Sequence, residues 1–167
     1  MSTTNLETAP APTRPRLPEE LAGSTPFLMK RLGFKLKDQS MAAYEKAGLH
    51  PYHHAVLAVL DEGSRETQGA IADALGYDRG QLVGLLDELE ERSLVERRRD
   101  PADRRRHIVR LTTEGKRALA KLRALARELE DDFLASLDED ERAQLHAFLR
   151  RLAAQHLPHC APASGSS

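Results

Sequence analysis

Apolar positions recur with a helical period along most of the chain and with a period of two in one short stretch. From Pro26 to Ala47, Leu28, Leu32 and Leu36 repeat every four residues and Phe27, Phe34 and Met41 every seven, a long helix stopped by Gly48. These residues cover more than the single stripe that a lone amphipathic helix needs, and the surplus suggests a partner chain. His50-Pro51 opens a second helix, with Ala55, Val56, Val59 and Leu60 inward, that ends at Glu62-Gly63. Thr67 caps a third, with Ile71, Ala72 and Leu75 inward, and Gly76 supplies the positive φ of a tight turn. Asp78 caps a fourth, with Gln81 at capping-box spacing and Leu82, Leu85, Leu86 and Leu89 as its apolar face.

After Ser93 the period changes. Val95, the turn Asp100-Pro101-Ala102-Asp103, then Ile108, Val109 and Leu111 predict a β-hairpin. Thr112 or Thr113 caps a fifth helix to about Ser136, with Leu122, Leu125, Leu129 and Phe133 as its ridge. Leu137-Asp138 starts a sixth, to about Leu157, with Leu145, Phe148, Leu149 and Leu152 inside. A short turn of helix is expected at Pro18 to Leu21, after a disordered arm over residues 1–17 that holds Pro10, Pro12 and Pro15. Residues 158–167 read as a flexible tail. The whole is mostly α with a small β-wing: a winged helix-turn-helix with six main helices and one hairpin, in a domain over residues 18–157.

Charge sharpens the picture. The net charge of the 167 residues is −1, yet eight arginines (92, 97, 98, 99, 104, 105, 106 and 110) face only Glu96, Asp100 and Asp103 across the hairpin. Residues 128–141 hold eight acids in return. A neutral total with a segregated basic patch suits a protein that meets a polyanion on one face. Apolar residues at 40% and charged residues at 31% fit a mostly helical, soluble chain. Neither a membrane span nor a signal peptide is legible, so no membrane partner and a cytoplasmic location are expected. The single cysteine, Cys160, excludes an internal disulfide. There is no glycine-rich phosphate loop, nucleophile elbow or HExxH, so an enzyme is not expected.

In this fold the start of the second helix of the helix-turn-helix meets base edges. Those positions are Arg79, Gly80, Gln81 and Gly84. Gln81 either reads an adenine through its amide or caps its own helix, and Arg79 contacts a base or a phosphate. Gly80 and Gly84 cost about 1 kcal/mol each against alanine, so they are either slack or a means of bringing the backbone close to DNA. Thr67 and Gln68 support the motif from the preceding helix. In the wing, Arg98, Arg104, Arg105 and Arg106 can reach phosphates or the narrow minor groove. Asp103 stands two residues before Arg105 and can fix it through a charge-assisted bond.

The run RSLVERRRDPADRRRHIVRLTTEGKRAL closely resembles the wing of the multiple-antibiotic-resistance regulator (MarR) family, in which DPxDRR precedes an alternating strand and LTxxG. The resemblance spans about residues 27–157. It implies that Asp103 and Arg105 are the aspartate-x-arginine pair at the wing tip, the arginine entering the minor groove. Arg79, Gly80 and Gln81 depart from the proline, serine and threonine common there, which leaves the operator sequence open. A homodimer is also implied, its helical dimerisation region formed by helices at about 26–47 and 113–157 around a winged core at about 50–112. Such proteins are usually repressors of a near-palindromic operator, released by a small effector, often phenolic or anionic. The alternatives are a non-sensing architectural DNA binder and a winged-helix protein-interaction module.

His53, His54 and Tyr44 lie near the family's effector pocket and are the candidate ligand contacts, against an ordinary packing role. His156, His159 and Cys160 have ligand-compatible spacing, but beside Pro158 and a flexible tail they are not read as a metal site. No cofactor is expected. Peroxide sensing through a first-helix cysteine and the urate-responsive branch with its first-helix tryptophan are both disfavoured, since neither residue is present there.

Overall fold

In the computed structural model the described residues are 16–63, 67–101, 103 and 107–157. They fall into two units, 1–36 and 37–167. In the first, Pro18 precedes the single turn α1 (Glu19–Ala22), and α2 (Thr25–Lys46) begins with the Phe27 N–H donating to Ser24 Oγ at 3.4 Å. Leu28, Leu32, Phe34 and Leu36 are exposed along this part of α2.

The second unit holds the rest of α2, then α3 (Pro51–Asp61), α4 (Gln68–Leu75), α5 (Arg79–Glu91), β1 (Val95–Arg99), β2 (His107–Leu111), α6 (Thr113–Phe133) and α7 (Glu139–His156). The core lies where α3 meets α4, α5, α6 and β2. Val56, Leu57 and Leu60 of α3 pack there with Ile71 and Ala72 of α4 and Leu82, Leu85, Leu86 and Leu89 of α5. Leu94, Val95, Val109, Leu119, Leu122 and Tyr44 close it. All four apolar positions expected on the fourth predicted helix are buried, at about 1.5–3 kcal/mol for each leucine.

The caps explain the boundaries. Gly76 takes φ 64°, and the Tyr77 N–H donates back to Ala72 O at 3.0 Å, so two residues separate the end of α4 from Asp78, which caps α5. Asp78 Oδ1 accepts the Gln81 N–H at 2.9 Å, but the reciprocal bond from a Gln81 side chain is not formed. Thr112, not Thr113, caps α6. An Asp138–Glu141 capping box starts α7.

The hairpin pairs Val95 with Leu111, Arg97 with Val109 and Arg99 with His107. Cross-strand partners share a face, so Arg97 stands on the same side as buried Val95 and Val109.

Two expectations change. The fifth predicted helix ends at Phe133 rather than near Ser136. The ridge expected inside the last helix lies on the surface of the chain: Phe148, Leu149 and Leu152 are exposed and Leu145 is half-buried. Among the described residues α7 has no extensive contact with another element. A helical period identifies an apolar face but not the molecule that covers it.

Ser93 links α5 to β1 at φ 58°, a conformation costly for any residue with a Cβ. Ser93→Gly is expected to raise unfolding stability by about 1 kcal/mol, read as a higher urea midpoint at constant slope. A lower midpoint would mean that the serine side chain has a role outweighing its backbone strain.

Candidate nucleic-acid interface

The helix-turn-helix is α4, the turn through Gly76, and α5. Its entry is fixed by Thr67, whose Oγ1 accepts the Ala70 N–H at 3.2 Å and whose backbone bridges to Ile108 of β2. This tie holds the start of α4 against β2, one residue from the loop end of the strand. Thr67, Gln68 and Gly69 then line a cleft of about 320 Å³ with Arg79, Leu82, Val83 and His107.

On α5 the buried stripe leaves Arg79, Gly80, Gln81, Val83 and Gly84 exposed over the first two turns. A Cβ on Gly80 would stand 3.2 Å from the capping oxygen of Asp78, and one on Gly84 would meet nothing within 4 Å. Internal packing therefore does not require a glycine at 84. The second half of α5 is acidic, and Asp87, Glu88 and Glu90 are tied to the fold. Arg97 Nε donates to Glu90 Oε2 at 2.8 Å and its Nη2 reaches Asp87 Oδ1 at 2.6 Å. The Arg97 hydrogen bond holds the Glu90 carboxyl below its usual range, partly opposed by burial. This clamp sets the hairpin against α5, and periodicity gave no signal for it.

Arg98 is exposed and paired with Glu96 at 2.9 Å, and Asp103 is exposed. Arg104, Arg105 and Arg106 lie outside the described residues, as do His159 and Cys160.

The candidate effector contacts separate. Tyr44 Oη and His54 Nδ1 are 2.6 Å apart, with the rings stacked, and Arg123, itself bridged to Asp61 at 2.9 Å, is a neighbouring charge of His54. His53, about 100° around the helix from His54, is almost fully buried. Its Nδ1 accepts the His50 N–H at 3.2 Å, completing a capping box with His50, while Nε2 stands 2.9 Å from Glu88 of α5. That contact is close, but the N–H points off the carboxylate oxygen, so it is an electrostatic contact rather than an aligned hydrogen bond. Among the described residues no group of three His, Cys, Asp or Glu side chains could hold a metal ion.

A groove of about 640 Å³, which the sequence pattern did not indicate, lies between the end of α2, the end of α5 and the start of α6. Leu49, Leu94 and Leu122 form apolar walls, Arg92 and Lys121 bring positive charge, and Arg117 is paired with Glu114 at the same lining. Arg92 also donates to Gly48 O, which ties the end of α5 to the link before α3.

Burial lowers the pKa of His53 below its ordinary 6.5 against the upward pull of Glu88, and burial followed by Arg123 lowers that of His54. The folded chain keeps both neutral where the unfolded chain would bind protons. The stability this provides is fully present above about pH 6.5 and is lost as pH falls through the lower folded values. Urea midpoints should therefore fall between about pH 7 and pH 5, less steeply in a His53→Gln/His54→Gln variant. An equal slope in that variant would remove the histidines from the account.

Residues 47–106 match the model of the MarR family. Transcriptional regulator HosA of Escherichia coli O111:H- is 31% identical over 102 residues, covering 61% of this chain and 75% of HosA. The structure of the transcriptional repressor CouR bound to a 23-mer DNA duplex superimposes with a TM-score of 0.74 at 33% identity, over 83% of this chain and 99% of CouR. The chain belongs to the MarR family. It is a DNA-binding transcriptional regulator and not an enzyme. CouR from Rhodococcus jostii RHA1 bound to p-coumaroyl-CoA is a further match, with a TM-score of 0.68 at 27% identity over 82% of this chain and 96% of CouR.

Membership gives the wing-to-α6 motif a physical reading. In the LTxxG segment of this MarR-family protein, Leu111 joins the sheet, Thr112 caps α6, and Gly115 passes against the backbone of Leu94. Among the described residues no helix is long and apolar enough to cross a membrane.

Proposed function

We propose that this protein is a ligand-responsive repressor that binds a near-palindromic operator as a homodimer in the cytoplasm. The observation that carries the reading is the exposed start of α5, free of acidic side chains from Arg79 to Gly84, beside a hairpin tied to the same motif through Thr67 and Ile108. Arg79 and Gln81 read bases or phosphates, Gly80 and Gly84 allow close approach, and Thr67 and Gln68 meet the backbone at the α4 terminus. Arg98 and the Asp103 to Arg106 segment supply the wing contacts.

Two α-helices carry the case for a second copy. Leu28, Leu32 and Phe34 on α2, and Phe148, Leu149 and Leu152 on α7, are exposed on one chain. A pair of copies that buries them presents two α5 helices to half-sites about one helical turn apart.

The effector we infer is an apolar anion. The groove offers Arg92 and Lys121 above leucine walls, with Arg117 held by Glu114, and the Tyr44–His54 pair offers a phenol and a neutral imidazole. Of the similar structures, one is a CouR repressor bound to a DNA duplex, and another is CouR from Rhodococcus jostii RHA1 bound to p-coumaroyl-CoA. His53 is committed to Glu88 and to capping α3, and is better read as a packing residue.

Fluorescence anisotropy with DNA from upstream of the protein's own gene tests the reading against a scrambled duplex. Nanomolar binding to the upstream DNA is expected, with log affinity falling by about 0.9 per phosphate neutralised for each unit of log salt, and release on adding aromatic carboxylates. Equal, weak binding to both duplexes would favour an architectural binder. Salt-independent or absent binding would favour a protein-interaction module.

A further inference from the structure

We propose that Val83 determines operator specificity by reading the C5 methyl group of a thymine in the major groove. The proposal rests on the operator-binding reading above and assigns a role to a side chain outside the polar set at the start of α5.

Leu82, Leu85 and Leu86 turn into the core, and Val83 is left 40% exposed, the sole apolar side chain on the outer surface of the first two turns of α5. Valine is a poor choice for an exposed helix position. Its branched Cβ restricts the rotamer and lowers helix propensity, and partial exposure forgoes the burial that usually compensates. At about 100° per residue, Val83 stands about 40° around the helix from Arg79 and about 60° from Gly80. Gly80 and Gly84 lie about 60° and 100° around the helix on one side of Val83 and carry no side chain, so the Val83 methyl groups have no side-chain neighbour on that side. In the groove they would meet base edges with no side chain at position 80 or 84 in the way.

Base chemistry restricts what such a group can recognise. It neither donates nor accepts a hydrogen bond, so it cannot distinguish the amino, keto or ring-nitrogen groups that mark guanine, cytosine and adenine. The thymine methyl is the apolar feature of the major-groove edge. Arg79, on the same side one turn earlier, lies with Val83 along the cleft that Thr67 and His107 also border, which places a cation for the adjoining phosphate or base. Gln81 points to the other side of the helix, so the two side chains address different bases.

The test uses the full-length protein and the duplex bound specifically in the anisotropy experiment. Each thymine is replaced singly by deoxyuridine, which pairs identically but lacks the methyl group. One thymine per half-site is expected to weaken wild-type binding roughly fourfold when replaced, the effect of losing one buried methyl contact. Val83→Ala should bind the unmodified operator with a similar loss and show no further loss at that deoxyuridine. Val83→Ala should also leave the urea midpoint within the range of surface substitutions. A wild-type protein indifferent to every deoxyuridine, or a Val83→Ala variant that retains the same sensitivity, would overturn the proposal while leaving operator binding intact. Failure to find any specifically bound duplex would overturn both.

Discussion

Gly115→Ala is expected to destabilise the chain by about 3 kcal/mol or more, the upper end of what overpacking costs. The reason is a crossing of two backbones. The chain leaves α5 through Ser93 and Leu94, and it returns from β2 into α6 through Thr112 and Gly115. Thr112 binds this crossing twice: its N–H donates to Leu94 O at 3.1 Å and its Oγ1 donates to Ser93 O at 2.7 Å. The Gly115 N–H in turn donates to Thr112 Oγ1 at 2.9 Å. A methyl group on Gly115 would stand 2.0 Å from Leu94 O and 3.0 Å from its carbonyl carbon. Neither atom belongs to a side chain that can rotate away. Relief requires α6 to move off β1, which breaks the cap and opens the core at Leu119 and Leu122. Chemical denaturation should show a lower midpoint at unchanged slope, or no cooperative transition at all. Near-wild-type stability would mean that α6 can shift at little cost.

That constraint indicates what kind of information the sequence carries. The helical periods of residues 51–91 and the capping residues Thr67 and Asp78 are local signals, and each appears in the structure where the pattern places it. The hairpin was equally legible from its alternation and turn. The candidate base-reading positions were legible too, because a helix-turn-helix orders its exposed residues by the geometry of one turn. Val83 was signalled by a branched residue on a solvent-facing stripe, a signal hidden by the run of leucines around it. The groove between Leu49, Arg92 and Lys121 left no local trace, since three distant segments assemble it. The Arg97 clamp was hidden for the same reason: within the hairpin alone, Arg97 is one more basic residue. The histidines were legible as a cluster, but consecutive positions on a helix point about 100° apart, and His53 and His54 face different partners.

Phe148→Glu/Leu152→Glu is expected to yield a monomer that folds and binds the operator at least about a hundredfold more weakly than the wild type. The two positions lie one turn apart on α7, and both are exposed on the single chain. The change therefore removes little packing within the protomer and should leave its helical content intact. Between two copies the effect differs, because each glutamate would have to lose its hydration inside an apolar contact. In the proposed dimer, operator affinity follows from the assembly. With two α5 helices held together, the second half-site is met at an effective concentration set by the dimer, and a monomer loses that advantage. Sedimentation velocity and operator anisotropy on the same samples separate the steps. A dimeric wild type and a monomeric, folded, weakly binding variant would assign the α7 face to a second copy. A variant that remains dimeric would move the interface to α2 and α6. A monomeric wild type that still binds a two-fold operator tightly would show that pairing occurs on the DNA, and the α7 ridge would then have to be explained by a different partner.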